Sequence, residues 1–239
     1  MALCEKPVGA HAHADPMCPR EYNTQVGTAR NLERRIEHLV DGLAGVMFGG
    51  TLQPSELGIR LLREADLGIE QSPSGPAVPN SYVFTLHTDQ HIPEPFSQRL
   101  EHLLEETAKE RGWRLNGPAG VTIEYSAKPA RTEIACRAER VSGPRLAWGR
   151  LVPQSGAPYP LLYNRVLVGR SEECDVSIAI AEISRVHALV WREGGRIWVN
   201  DLDSANGTFV DGAPVTKPVP IDDGAVVSFG PVTLDLRTG

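Results

Sequence analysis

The 239-residue chain has no apolar run that approaches 18 residues, so no segment reads as a membrane-spanning helix. It also lacks an excess of positive charge. There are 24 Lys and Arg against 30 Asp and Glu, a net charge of -6, and the pI is near 5.7. That balance argues against a general nucleic-acid binder, which is normally basic. Cysteine is sparse. Cys4, Cys18, Cys136 and Cys174 are scattered without tight spacing, which suits reduced thiols in a cytoplasmic protein better than a disulfide scaffold. The segment Met1-Ala-Leu-Cys4-Glu-Lys-Pro7 has no apolar h-region and is not a secretory signal. Leu3-Cys4 looks like a lipoprotein cleavage site, but nothing hydrophobic precedes it. Residues 1–28 have little periodicity and are expected to be a disordered tail. Within it, Cys4, His11, His13 and Cys18 are spaced C-x6-H-x-H-x4-C. This fits none of the usual zinc knuckles and has no apolar surround, so no metal or other cofactor is expected.

What is present looks like an ordinary folded protein, 41% hydrophobic and 23% charged. Glycine and proline are abundant at 23 and 19 residues. The length suits one large domain or two small ones.

Periodicity divides the chain. From Arg30, the residues Leu32, Ile36, Leu39, Val40 and Leu43 fall on one helical face opposite a charged side, and Phe48-Gly49-Gly50 ends that helix. A second helix starts at Pro54, where a missing N–H costs nothing, with Leu57, Leu61, Leu62 and Ala65 as its inward stripe. Gln71–Pro79 is a loop. Tyr82–His87 alternates in the strand manner, and a Pro-led helix runs from Pro95 to Arg111, capped by Gly112. Short strands follow around Trp113–Leu115, Val121–Tyr125 and Thr132–Arg137. Residues 29–139 are thus expected to form an α+β domain.

Past Ser142-Gly143-Pro144 the helical period disappears. Short β runs recur: Leu146–Val152, Leu161–Tyr163, Val166–Gly169, Val176–Ile178, Ala188–Arg192, Ile197–Asp201, Phe209–Val210, Val226–Phe229 and Thr233–Leu236. Turn signals separate them, including Glu193-Gly-Gly195, Asn206-Gly207, Asp211-Gly212 and Asp222-Asp-Gly224. Residues 145–239 are expected to be an all-β sandwich.

Four short features of the β region occur in a telling order: Val168-Gly169-Arg170-Ser171, Ser184-Arg185-Val186-His187, Asp203-Ser204-Ala205-Asn206-Gly207-Thr208, and Asp223-Gly224 leading to Gly230. In this order they resemble the motifs of the forkhead-associated (FHA) domain, and the ligand this resemblance implies, a phosphothreonine, carries close to two negative charges and three strong acceptor oxygens. Holding it in a shallow site takes a forked, permanently charged donor such as Arg170. Gly169 is expected to let the backbone turn before it. Ser184 offers a hydroxyl and its own N–H, and Arg185 a second positive charge. The Asn206 amide suits an extended peptide backbone, and Gly207 suits a positive φ. Ser184 and His187 could be read as nucleophile and base, but no nucleophile elbow or oxyanion loop accompanies them.

The resemblance to the FHA domain, a phosphothreonine-reading β-sandwich, covers about residues 145–239. The resemblance implies a phosphopeptide site of Arg170, Ser184, Arg185 and Asn206. Gly169, His187 and Gly207 would support it, His187 by bracing the serine loop. Ala205 stands where the family often has Thr, and Asp211 where many members have Asn. Residues 29–139 resemble the domain of unknown function that precedes the FHA domain in a family of actinobacterial proteins. The matching features are the helix ending in Phe48-Gly-Gly50, the start Pro54-Ser-Glu-Leu57, and Pro79-Asn80-Ser-Tyr-Val-Phe-Thr-Leu86.

The resemblance implies a non-enzymatic signalling adaptor that reads phosphothreonine made by a Ser/Thr protein kinase. Partners would be the kinase, its substrates or membrane-associated cell-wall proteins, which would recruit a cytoplasmic protein to the inner face of the membrane. The alternative is that the N-terminal domain supplies catalysis or DNA binding. Against catalysis, His38, His87, His91 and His102 are dispersed, and Glu101, Glu105, Glu106, Lys109 and Glu110 read as a solvated helix face. Against DNA binding, residues 1–144 hold 15 Lys and Arg against 19 Asp and Glu. The few residues between the domains suggest a fixed relation between them.

Overall fold

A computed structural model describes residues 53–92, 95–130, 133–143 and 145–239. The expected tail, the helix from Arg30 with the sign of its outer face, and the Cys4–Cys18 cluster lie outside these residues. The first half is built on β2 (Ser81–His87), whose alternating sequence buries Tyr82, Phe84 and Leu86 completely and turns Val83 and Thr85 outward. Helix α1 (Pro54–Leu67) begins at its proline and lays Leu57, Leu61, Leu62 and Ala65 against the sheet. Helix α2 (Pro95–Arg111) buries Phe96, Leu100, Leu103, Leu104 and Ala108, and Gly112 follows it at φ 63°.

Strand β4 (Gly120–Ser126) lies parallel to β2, because α2 carries the chain back across one face of the sheet. Strand β5 (Ala135–Glu139) pairs antiparallel on the other side of β2. It begins three residues later than the alternation from Thr132 predicts. Two-residue strands β1 (Ala77–Val78) and β3 (Arg114–Leu115) form a separate parallel pair. One continuous core joins both helices to β2, Trp113, Leu115 and Val121.

The second half is a sandwich of two sheets. One holds, in order, β14 (Val219–Ile221), β11 (Arg196–Asp201), β10 (Ala188–Glu193), β8 (Arg165–Gly169) and β9 (Val176–Ser177). The other holds β13 (Ala213–Pro214), β12 (Thr208–Val210), β15 (Val226–Phe229), β16 (Val232–Thr238), β6 (Gly149–Pro153) and β7 (Tyr159–Leu161). Val166, Val168, Val190, Val199, Leu151, Phe229, Leu234 and Leu236 fill the space between the sheets. The sequence reading places β7 two residues late. It misses β1, β13 and β14, where a proline or a two-residue length hides the alternation.

Leu167, Leu189 and Trp191 point out of the sandwich, opposite to Val166, Val168 and Val190, yet they are buried too. Trp191 stacks on Trp198, with ring centroids 6.3 Å apart, and the Arg165 guanidinium lies 5.3 Å from the Trp191 ring. The first half of the chain meets the sandwich beside this cluster. Asn164 donates to the carbonyl of Trp113 at 2.6 Å and accepts from the N–H of Leu115 at 3.2 Å. Arg165 donates to the Ser74 carbonyl at 2.5 Å, and Arg145 donates to the Gly117 carbonyl. Arg114 pairs with Asp175 through both carboxylate oxygens, at 2.6 and 2.7 Å. Among the described residues, no helix is long and apolar enough to cross a membrane.

Candidate functional site

Three loops converge at one end of the sandwich: residues 170–175 between β8 and β9, residues 178–187 between β9 and β10, and residues 202–207 between β11 and β12. They enclose an open depression lined by Arg170, Ser184, Arg185 and Asn206, together with Ser171, Glu173 and Glu182. The four residues singled out as direct contacts are therefore neighbours in space, although 36 positions of sequence separate the first from the last.

Gly169 closes β8 immediately before the depression. Its φ is not left-handed, so the expected turn is not its role. A Cβ there would stand 2.3 Å from the Arg185 carbonyl oxygen and 2.9 Å from the Cys174 sulfur. Glycine is required because the backbone carrying Arg185 crosses against it. The two segments are laced together, with the Arg170 N–H donating to the Ser184 carbonyl at 2.9 Å and the Ser171 N–H to the Arg185 carbonyl at 3.1 Å. Arg170 itself is exposed, and one guanidinium nitrogen donates to the Ala181 carbonyl at 3.0 Å. That bond holds the long side chain over the depression before any ligand arrives, which lowers the entropy cost of binding.

Ser184 uses its polar atoms differently from the expectation. Its N–H, expected to reach the phosphate, donates instead to Nδ1 of His187 at 3.2 Å. Its Oγ accepts from the Ala205 N–H at 2.9 Å. With that lone pair engaged, the hydroxyl hydrogen is directed elsewhere, and the depression lies alongside.

His187 is fully buried and edge-on to Phe229. Since Nδ1 accepts from Ser184, Nε2 carries the proton and faces the Gly207 carbonyl at 3.1 Å. The ring thus joins the serine loop to the asparagine loop. Gly207 has φ 74°, and Asn206 before it donates an amide hydrogen to the Glu182 carbonyl at 2.7 Å. The amide is therefore partly engaged within the protein, and its carbonyl oxygen has no hydrogen bond among the described residues. Asp211 and Gly212 have φ 51° and 82°, so the aspartate serves a hairpin turn away from the depression.

Sequence reasoning missed Asp201. Its carboxylate accepts from the Ser204 N–H at 2.9 Å, the Ser204 hydroxyl at 2.7 Å and the Thr208 hydroxyl at 2.6 Å. An acidic residue three positions before a serine is a signature of such a side-chain-to-backbone turn, so the signal was available. Cys174 was also passed over. It is buried beneath Gly169, donates to the Arg185 carbonyl at 3.2 Å, and its thiol is pushed above the usual range by burial and then by Asp175.

In the first half, His87 approaches Asp89 at 3.5 Å, while Glu106 and Lys109 pair on the face of α2. Among the described residues, no three His, Cys, Asp or Glu side chains are grouped to hold a metal ion.

Comparison with known proteins gives two family matches: residues 166–230 match the FHA domain, and residues 30–136 match the FhaA N-terminal domain. The FHA domain-containing protein FhaB of Mycobacterium tuberculosis is 34% identical over 83 residues, which are 35% of this chain and 54% of that protein. The glycogen accumulation regulator GarA of Mycolicibacterium smegmatis is 33% identical over 98 residues, covering 41% of this chain and 61% of GarA. The chain thus spans about half to three-fifths of the length of these relatives. Among solved structures, Mycobacterium tuberculosis EmbR in complex with a low-affinity phosphopeptide is 28% identical, with a TM-score of 0.37, over 39% of this chain and 25% of that one.

Proposed function

We propose that this chain, which carries an FhaA N-terminal domain followed by an FHA domain, is a phosphothreonine-reading adaptor. The observation that carries the reading is the convergence of Arg170, Ser184, Arg185 and Asn206 on one open depression. Two guanidinium groups there complement a dianionic phosphate. The Ser184 hydroxyl, its acceptor side occupied by Ala205, is a directed donor. The Asn206 carbonyl oxygen is suited to accept an N–H from the peptide main chain, and Gly207, His187 and Gly169 hold the loops in place.

In this reading the protein binds and does not catalyse. The phosphate comes from a Ser/Thr protein kinase, and the partners are the kinase or its substrates. Membrane-associated cell-wall proteins are among those substrates, and binding them brings the adaptor to the inner face of the membrane. The support for kinase and cell wall is the family resemblance of the two domains in tandem; the support for phosphate is the site itself.

Calorimetric titration tests the reading with phosphothreonine, phosphoserine and unphosphorylated versions of one peptide. A charge-assisted hydrogen bond contributes about 1.5–3 kcal/mol. Arg170→Ala, which removes a forked donor, is expected to abolish measurable binding. Arg185→Ala is expected to weaken it by roughly tenfold. Burying the threonine methyl is worth about 0.8 kcal/mol, a preference of roughly fourfold over phosphoserine. Equal binding of phosphorylated and unphosphorylated peptides would overturn the reading.

A further inference from the structure

The residue that closes the first loop of the site faces away from the depression and into the other half of the protein. Asp175 ends the segment that begins at Arg170. One of its carboxylate oxygens accepts the N–H of Leu167 in β8 at 2.8 Å, which fastens the base of the loop to the sheet. Both oxygens are also held by the guanidinium of Arg114, in β3 of the first half. The pair is well shielded, with side-chain exposures of 9% for Arg114 and 13% for Asp175.

Arg114 is itself fixed from every side. Its Nε donates to Asn116 at 3.1 Å, one terminal nitrogen also donates to the Arg165 carbonyl, and its guanidinium lies 4.2 Å from the centre of the Tyr163 ring. A planar fork held in this way dictates where the Asp175 carboxylate sits. From Asp175 the path to the site is short. The adjoining Cys174 packs beneath Gly169 and donates to the Arg185 carbonyl, which also accepts from Ser171.

We infer that Arg114 is a positioning residue for the phosphopeptide site, acting through Asp175 on the loop that carries Arg170. The inference rests on the reading of the site given above. Without Arg114, Asp175 is a shielded carboxylate stripped of its counter-charge, and it regains solvation only by moving outward. That movement draws on Cys174 and on the loop wall formed by Ser171 and Glu173. The N-terminal half is thereby part of the binding site without touching the peptide. Reciprocity follows: if a docked first half favours the competent loop, a bound phosphopeptide favours docking by the same factor.

The experiment uses the full chain and the phosphothreonine peptide that the wild type selects from an oriented library. Arg114→Ala and Asp175→Asn are expected to raise Kd on the order of tenfold, within the range of coupled sites. Arg114→Lys, which keeps the charge without the fork, is expected to fall between them and wild type. In the wild type, saturating peptide is expected to slow hydrogen exchange at the Leu115 amide, which donates to Asn164 across the junction. Folded variants that bind within twofold of wild type would overturn the inference, as would Leu115 exchange indifferent to peptide. Should every substitution at Arg114 fail to fold, the exchange measurement on the wild type decides alone. A wild type that does not distinguish phosphorylated from unphosphorylated peptide would instead sink the reading of the site, so the two failures are separate.

Discussion

Two shielded thiols, Cys136 half-buried and Cys174 buried, show how a single residue ties stability to pH. Cys136 lies on β5, against the core of the first half, and its thiol is pushed up to about 11, first by burial and then by the nearby Glu64 carboxylate. Cys174 is shifted in the same direction by the same leading cause. Both thiols ionise more readily in the unfolded chain than in the native one, so the unfolded state loses protons first as pH rises. Stability is therefore full below pH 9 and falls as the pH climbs from 9 toward 11. Urea unfolding at pH 7 and pH 10 checks this: the midpoint should drop, and the Cys136→Ala variant should lose less over the same interval. A midpoint that falls equally in both proteins would assign the effect to other groups. The same burial should make the two thiols slow to alkylate in the native state at neutral pH.

At the scale of elements, the site depends on loops that cannot hold their shape alone. The β11–β12 loop contains Asp203 at φ 54°, a left-handed conformation that a non-glycine residue adopts at a cost. Asp201 offsets that cost with its three hydrogen bonds. Each bond to a charged acceptor contributes about 1.5–3 kcal/mol. Asp201→Ala is expected to destabilise the protein by at least about 2 kcal/mol by that measure, read by denaturant unfolding. It should also weaken phosphopeptide binding even though Asp201 does not line the depression. Asp201→Asn, which keeps acceptors but not charge, should lie between. Unchanged stability in Asp201→Ala would show that the turn is held by other contacts.

The same loops show what was legible beforehand. Arg170, Ser184, Arg185 and Asn206 were legible because the ordered motifs that carry them resemble those of the FHA domain, although none of those motifs is distinctive alone. The alternation of β2 gave its position and inward face, the short β runs gave the positions of β8 and β10 alone, and Pro95 and Gly112 marked both ends of α2. What escaped was non-local. The use of the Ser184 N–H follows from where His187 folds back, and the need for Gly169 follows from the crossing of the Arg185 backbone. Neither leaves a trace in spacing. Strand β14 escaped because Pro220 occupies an edge strand, where a missing N–H is tolerated, so its sequence reads as a loop.

For the whole molecule, the decisive feature is that two cores share a polar junction. Strand β5 ends at Glu139 and β6 begins at Gly149, so the connection is short, and Asn164, Arg165, Arg114 and Asp175 bridge what it joins. Sequence reasoning expected a fixed relation from the short connection alone. The side chains that make the contact lie on β3, in the β7–β8 connection and at the start of β8, and at the end of the β8–β9 loop, and only the fold brings them together. Under the proposed function, the site belongs to a half that is joined to its neighbour by side-chain contacts, in contrast to a binding module on a long flexible tether.

The stacked pair Trp191–Trp198 makes the junction visible to light. Trp191 is only 8% exposed and lies beneath Arg165, which also donates to the Ser74 carbonyl of the first half. Separation of the halves would wet the indole and shift its emission to longer wavelength while both cores remain folded. A red shift at urea concentrations below the loss of far-ultraviolet circular dichroism is the expected signal, and Trp191→Phe should remove most of it. If the emission and dichroism curves coincide, the halves part only when they unfold. The protein thus carries its own optical gauge of domain docking, one that needs no label and can be read while phosphopeptide is added.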